Sequence, residues 1–236
     1  MQHYFLAKHA FVCAIGPDVI VLDLRHDKYL AFERRFWDPI VRGIGGWPAN
    51  EATVPSPDAA PDETALAQLL ESGLLTEDGR QGKDATPAAI ELPSLSLLED
   101  FRVQPPAIRV GHVLAFLGAI VTALVSLRLR RIERIVDTIR RRRQATTHAA
   151  TADLSAIGAL TEVFRRLRPL LFTSRNHCLF ESLMLLNFLS RYGIHPTWVF
   201  GVQTAPFGAH CWLQLGAIAC NDPLDRIRSY TPIMVV

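Results

Sequence analysis

Residues 174–193 read SRNHCLFESLMLLNFLSRYG, and the fold follows from how this stretch is packed. Leu179, Phe180, Leu183, Met184, Leu185, Leu186, Phe188 and Leu189 point in nearly every direction around a helix axis. A helix of that kind is enclosed by its domain rather than laid on the surface. Ser174 or Asn176 caps its start and Gly193 stops it. Cys178 falls in the first turn, where unpaired amides and the positive end of the helix dipole favour the thiolate. A cysteine among apolar residues is ordinarily core filler, so a nucleophilic role depends on what converges on it.

Downstream, residues 208–215 alternate as a strand, with His210, Trp212 and Gln214 on one face and Cys211, Leu213 and Leu215 on the other. Residues 217–220 read as a second strand. A three-residue hairpin loop at 215–217, with Gly216 in the left-handed position, sets His210 directly opposite Asp222. Opposed side chains begin about 4.5–5.5 Å apart at their β carbons, which suits a carboxylate that fixes an imidazole tautomer. A buried helix on that face brings Cys178 to the other ring nitrogen. The expected catalytic set is nucleophile Cys178, base His210 and orienting acid Asp222.

Cys178, Leu179, Ser182 and Leu183, then Phe207, Ala209, His210 and Trp212, then Asn221 and Asp222, resemble the transglutaminase-like cysteine peptidases of lasso-peptide biosynthesis, the B proteins. The resemblance runs from about residue 107 onward and implies the same three roles for Cys178, His210 and Asp222. Glu181 stands where that family commonly has a basic residue, and Cys211 where it has alanine. Position 211 is expected to point into the core. The oxyanion is expected on the Cys178 amide and on one further donor, for which Asn176 is the candidate. The implied partner is an asparagine-synthetase-like cyclase, which would carry any need for ATP, because this chain has no Gly-rich phosphate loop.

At 236 residues and 49% hydrophobic content, the chain is long enough for one large or two small cores. Cys13, Cys178, Cys211 and Cys220 lack CxxC spacing and follow no secretory leader, so a reducing cytoplasmic setting is expected, with no disulfide framework and no cofactor. A metal site from His177, Cys178, His210, Cys211 and Cys220 is disfavoured, because adjacent strand residues point apart.

Near the start, residues 10–15, 19–24 and 29–32 read as an antiparallel meander. A short helix at 33–44 follows, then a proline-rich connection and a helix from Asp62 to Ser72. Leu69, Leu70, Glu71, Ser72, Gly73, Leu74 and Leu75 resemble the winged-helix precursor-recognition elements of ribosomal peptide-modifying enzymes. That resemblance implies a leader peptide added as a strand beside Lys28, Tyr29, Leu30, Ala31 and Phe32, and gripped by Ala65, Leu66, Leu69 and Leu70. Residues 51–99 carry ten acids against two bases, a surface unsuited to nucleic acid.

The expected organisation is a recognition domain over 1–80, a proline-rich linker over 81–106 that lets the halves move, and a peptidase domain over 107–236. Its class is α+β, a small winged-helix-like domain before a transglutaminase-like or papain-like core. Residues 110–127 form an apolar run, and residues 128–143 hold eight arginines against two acids. Helical phasing continues through Ile132, Ile135, Val136 and Ile139, so one long core helix is expected. Contact of residues 110–143 with a membrane surface, or a true span, are the other readings. The function expected is removal of a leader from a ribosomal precursor peptide. Acyl transfer to an amine and a non-catalytic peptide-binding module are the alternatives.

Overall fold

The computed structural model describes residues 3–33, 43–47, 63–101, 107–145, 153–170 and 178–236. The chain divides into two compact units, one of residues 1–89 with 202–208 and 231–234, the other of residues 90–201, 209–230 and 235–236.

In the first unit, β1 (Phe5–Ala7) precedes the meander β2 (Ala10–Ile15), β3 (Asp18–Asp23) and β4 (Lys28–Glu33). The meander runs in the order β2-β3-β4, with β4 at an edge among the described residues. The tight turn at Gly16-Pro17 sets its register: Ile15 faces Asp18 across it, and Val12 faces Val21. The next turn is held by the Asp23 carboxylate, which accepts the Arg25 and His26 amides at 2.9 and 3.2 Å. Helix α1 (Glu63–Glu71) ends at Gly73, whose φ of 69° closes the helix. Leu69, Leu74 and Leu75 then bury themselves with Val12, Val19 and Val21. A second sheet, β5-β1-β6, with β5 at Leu75–Thr76 and β6 at Gly82–Lys83, was not part of the sequence expectation. The helix expected over 33–44 falls mostly outside the described residues.

The candidate leader-clamp residues divide by burial. Lys28 and Ala31 are exposed on β4, while Leu30, Phe32, Leu66 and Leu70 are half-buried against the core. Leu69 is 3% exposed and therefore a core residue rather than a gripping one. Ala65 lies on α1.

The second unit carries β7 (Leu95–Ser96), α2 (Val110–Leu129), α3 (Ile132–Ala145), α4 (Leu154–Leu167) and α5 (Cys178–Ser190). After them in the chain come β8 (Thr197–Thr204), β9 (Phe207–Leu215), β10 (Ile218–Ala219), α6 (Leu224–Arg228) and β11 (Thr231–Val235), of which the end of β8, the start of β9 and most of β11 are counted with the first unit. The five-stranded sheet runs β11-β8-β9-β10-β7. Because β6 and β7 both fall inside 81–106, that stretch is hydrogen-bonded into two sheets where a linker was expected. The single long helix is also corrected. Arg130 is extended, with φ −127° and ψ 145°, and the chain restarts as α3 at Ile132. Restarting lets α3 bury Ile132, Ile135, Val136 and Ile139 on its own line.

Helix α5 is enclosed as expected, with Ser182 to Leu189 all buried. Its Phe188 meets Phe164 of α4 at 5.7 Å between ring centroids, and Phe164 meets Phe116 of α2 at 5.4 Å. Gly201 on β8 has a packing reason. A β carbon there would lie 2.8 Å from the Trp212 ring and 2.9 Å from Tyr230, so only glycine lets Trp212 lie flat across the strand.

Candidate active site

Cys178 opens α5 and is half-buried, in the position where the helix end itself favours a negative charge. A hydrogen bond from the Cys211 thiol, helped by the His210 ring and its charge, outweighs burial and pulls the Cys178 thiol down to about 4. His210 on β9 is 4% exposed. Burial there opposes the positive charge, yet hydrogen bonding to Asp222 and Cys178 prevails and lifts the imidazole to about 9. Between those limits the resting state is thiolate and imidazolium, the charge state a cysteine nucleophile needs.

Asp222 is 4% exposed, and its Oδ2 lies 3.2 Å from His210 Nε2. The approach is off the ring N–H axis, since Nε2 has no aligned acceptor. The hydrogen bond is therefore a bent one reinforced by the opposite charges, and it is strongest when His210 is protonated. With Nε2 turned to Asp222, Nδ1 is left for the thiol. The Asp222 carbonyl accepts a 2.9 Å hydrogen bond from Ser96 Oγ on β7, and Arg226 Nη1 stands 3.5 Å from Oδ1.

The pair arises by a different route from the one the sequence suggested. β10 pairs with β9 as Ile218 to Leu215 and Ala219 to Gln214, so the loop is the two residues Gly216 and Ala217. Gly216, with φ 56°, takes the first loop position, as two-residue turns with a leading glycine require. Continued unbroken, this register would put Asp222 opposite Cys211, on the face away from His210. The ladder stops instead. Cys220 still donates to the Leu213 carbonyl at 2.8 Å, but the Leu213 amide is taken by Asn221 Oδ1 at 2.8 Å. The bend over residues 220–222 carries Asp222 round to His210.

Helix α5 packs on the face opposite to the expected one. Ser182 Oγ accepts from Trp198 Nε1 at 2.9 Å, lies 3.2 Å from Cys211 Sγ, and donates to the Cys178 carbonyl at 2.7 Å. The other face belongs to the cluster of Val199, Trp212, Ala219 and Ile227. Cys211 does point inward, but into the site, where its own thiol is pushed well above its ordinary value by burial and by the Cys178 charge. Glu181, next along α5, pairs with Arg168 at 2.8 Å. Burial raises its carboxyl, opposed by Arg168 and reinforced by Asp222. Ser96, Arg226 and Cys211 carried no motif that would have singled them out. Asn176, Ser174 and His177 lie outside the described residues.

Replacing Cys211 with alanine removes the largest stabiliser of the thiolate. The pH at half-maximal iodoacetamide labelling of Cys178 is expected to rise by roughly one unit, the worth of one hydrogen bond to a charged group. An unchanged labelling profile would take Cys211 out of the nucleophile's environment.

Comparison with curated proteins and with solved structures gives no match. Residues 119–235, which include α5, β9 and Asp222, match the transglutaminase-like superfamily. That match supports the α+β core built of α2 to β11 as transglutaminase-like, and the members of that superfamily are typically cysteine peptidases or transglutaminases.

Proposed function

We propose that this chain is a leader-removing cysteine peptidase of lasso-peptide maturation, hydrolysing a ribosomal precursor peptide at its leader–core junction. The observation that carries the reading is the Cys178 thiolate beside an imidazolium at His210 that Asp222 backs at 3.2 Å. The thiolate attacks the scissile carbonyl, and the oxyanion forms at the N-terminus of α5, within reach of the Cys178 amide. The C–N bond breaks as His210 gives its proton to the core peptide's amine. Water then adds to the leader thioester with His210 as base, releasing the leader carboxylate and restoring the thiolate. The resemblance to the B proteins supports the precursor as substrate, as does the place of β4 at the end of its sheet among the described residues, beside which a leader would add as a strand. The freed amine would pass to an asparagine-synthetase-like cyclase. Four free cysteines fit a reducing cytoplasm.

Mass analysis of precursor incubated with the full chain tests this. Two products are expected, a leader ending in a free carboxylate and a core beginning in a free amine. Leader joined to an added primary amine would assign acyl transfer instead. An uncut precursor, with Cys178 still labelling as a thiolate, would reject this substrate. Turnover is expected to be bell-shaped, falling below about 4 as the thiolate is protonated and above about 9 as His210 loses the proton owed to the leaving amine. A rate that climbs steadily through pH 9, as for an ordinary thiol, would contradict the ion pair.

A further inference from the structure

Helix α2 is apolar on every side, and the protein's own core uses only one of them. Phe116, Ala119, Ile120 and Ala123 are buried. On the opposite side Val110, Leu114, Leu117, Val121, Leu124 and Val125 are between 42 and 76% exposed. Their spacing of four and three residues stacks them into one stripe about 22 Å long. A continuous exposed apolar surface of this kind marks a site of contact.

The charge at the end of the stripe says with what. Arg128 continues the stripe's phase, and Arg130, Arg131 and Arg134 follow it closely, all exposed. Beside the stripe, a groove of about 270 Å³ opens between α2 and α3. Val121, Val125 and Ile139 form its apolar side, while Ser126 and Arg130 supply donors; the Thr138 hydroxyl is spent on the Arg134 carbonyl at 2.7 Å. Apolar wall, hydroxyl and guanidinium in one groove match an amphiphile with an anionic head. A peptide partner would need polar groups along the stripe to fix its register, and none is present before Arg128. A bilayer needs no register.

We propose that α2 docks flat on a membrane surface rich in anionic lipid. The stripe enters the acyl boundary, the arginines at the C-terminal end of α2 take up headgroup phosphates, and one headgroup sits in the α2–α3 groove at Arg130. The helix does not span, because its other side is the packing surface for Phe164 and α5. This assignment is independent of the peptidase reading.

Co-sedimentation of the full chain with phosphatidylcholine vesicles, with and without about one-third phosphatidylglycerol, tests it. Anionic vesicles are expected to bind at least about tenfold more protein than neutral ones, and raised salt should narrow the gap. Leu117→Glu with Val121→Glu, both at exposed positions, should abolish binding while melting temperature and turnover of a soluble peptide stay unchanged. Arg130→Glu should lower the anionic preference severalfold and keep the residual apolar binding. Wild-type protein that ignores anionic vesicles, or stripe variants that bind as well as wild type, would overturn the proposal. So would a lipid-free dimer that the same two substitutions dissociate, since the stripe would then belong to a second copy of this chain.

Discussion

Cys178→Ala is expected to lower precursor cleavage on the order of 10⁶-fold, the loss seen when a triad hydrolase is stripped of its nucleophile. At about 1.4 kcal/mol per decade that corresponds to roughly 8 kcal/mol of transition-state stabilisation. No other group of the site can replace it, because the neighbouring Cys211 thiol is buried and held protonated. Removing Sγ removes the thiolate–imidazolium pair while Asp222 still backs His210, so the melting temperature should hold or fall slightly. Precursor affinity should stay within about twofold of wild type, since uniform binding does not use the nucleophile. Affinity and single-turnover cleavage measured on the same preparation decide it. Residual turnover near wild type would remove Cys178 from the chemistry.

Asp222→Asn is expected to lower turnover about 10²-fold, less than the ~10⁴-fold of a serine-protease triad, because a thiol and an imidazole form an ion pair unaided. Asp222 is also the main support of the His210 charge, so the alkaline limb should move below about 9 in the variant. The sign follows from the shift: a base whose raised affinity for its proton is removed loses that proton at lower pH. The fold should survive, because Ser96 binds the Asp222 carbonyl rather than its side chain, and Arg226 is 49% exposed and free to turn to water. If residue 222 merely shaped the turn before Pro223, asparagine would serve equally well. Rates and alkaline limb both unchanged across pH would leave a Cys178–His210 dyad.

Much of this was legible in residue order. An all-apolar helix announces its own enclosure, and α5 is enclosed. The meander at 10–33 is readable because Gly16-Pro17-Asp18 and His26-Asp27-Lys28 separate short apolar runs. Other features depended on competition between local and distant contacts. Asp222 was singled out through a three-residue loop, yet the loop has two residues, and what turns the aspartate back is the Asn221 side chain taking a backbone donor. Alternation along β9 separated His210 from Cys211 correctly, but period two says nothing of which element covers which face. Only packing shows that α5 lies on the Cys211 side. The break at Arg130 has no glycine or proline to mark it. It lets α3 rotate its four apolar residues inward, a gain that appears only once a core exists.

The bond from Ser96 to Asp222 joins residues 126 apart in the chain, and the strand pairing beside it is parallel. Asp222 is thus held from two directions, by Asn221 in its own turn and by Ser96 on a strand distant in the chain. Loosening β7 would therefore loosen the carboxylate behind His210 while leaving every reacting atom in place.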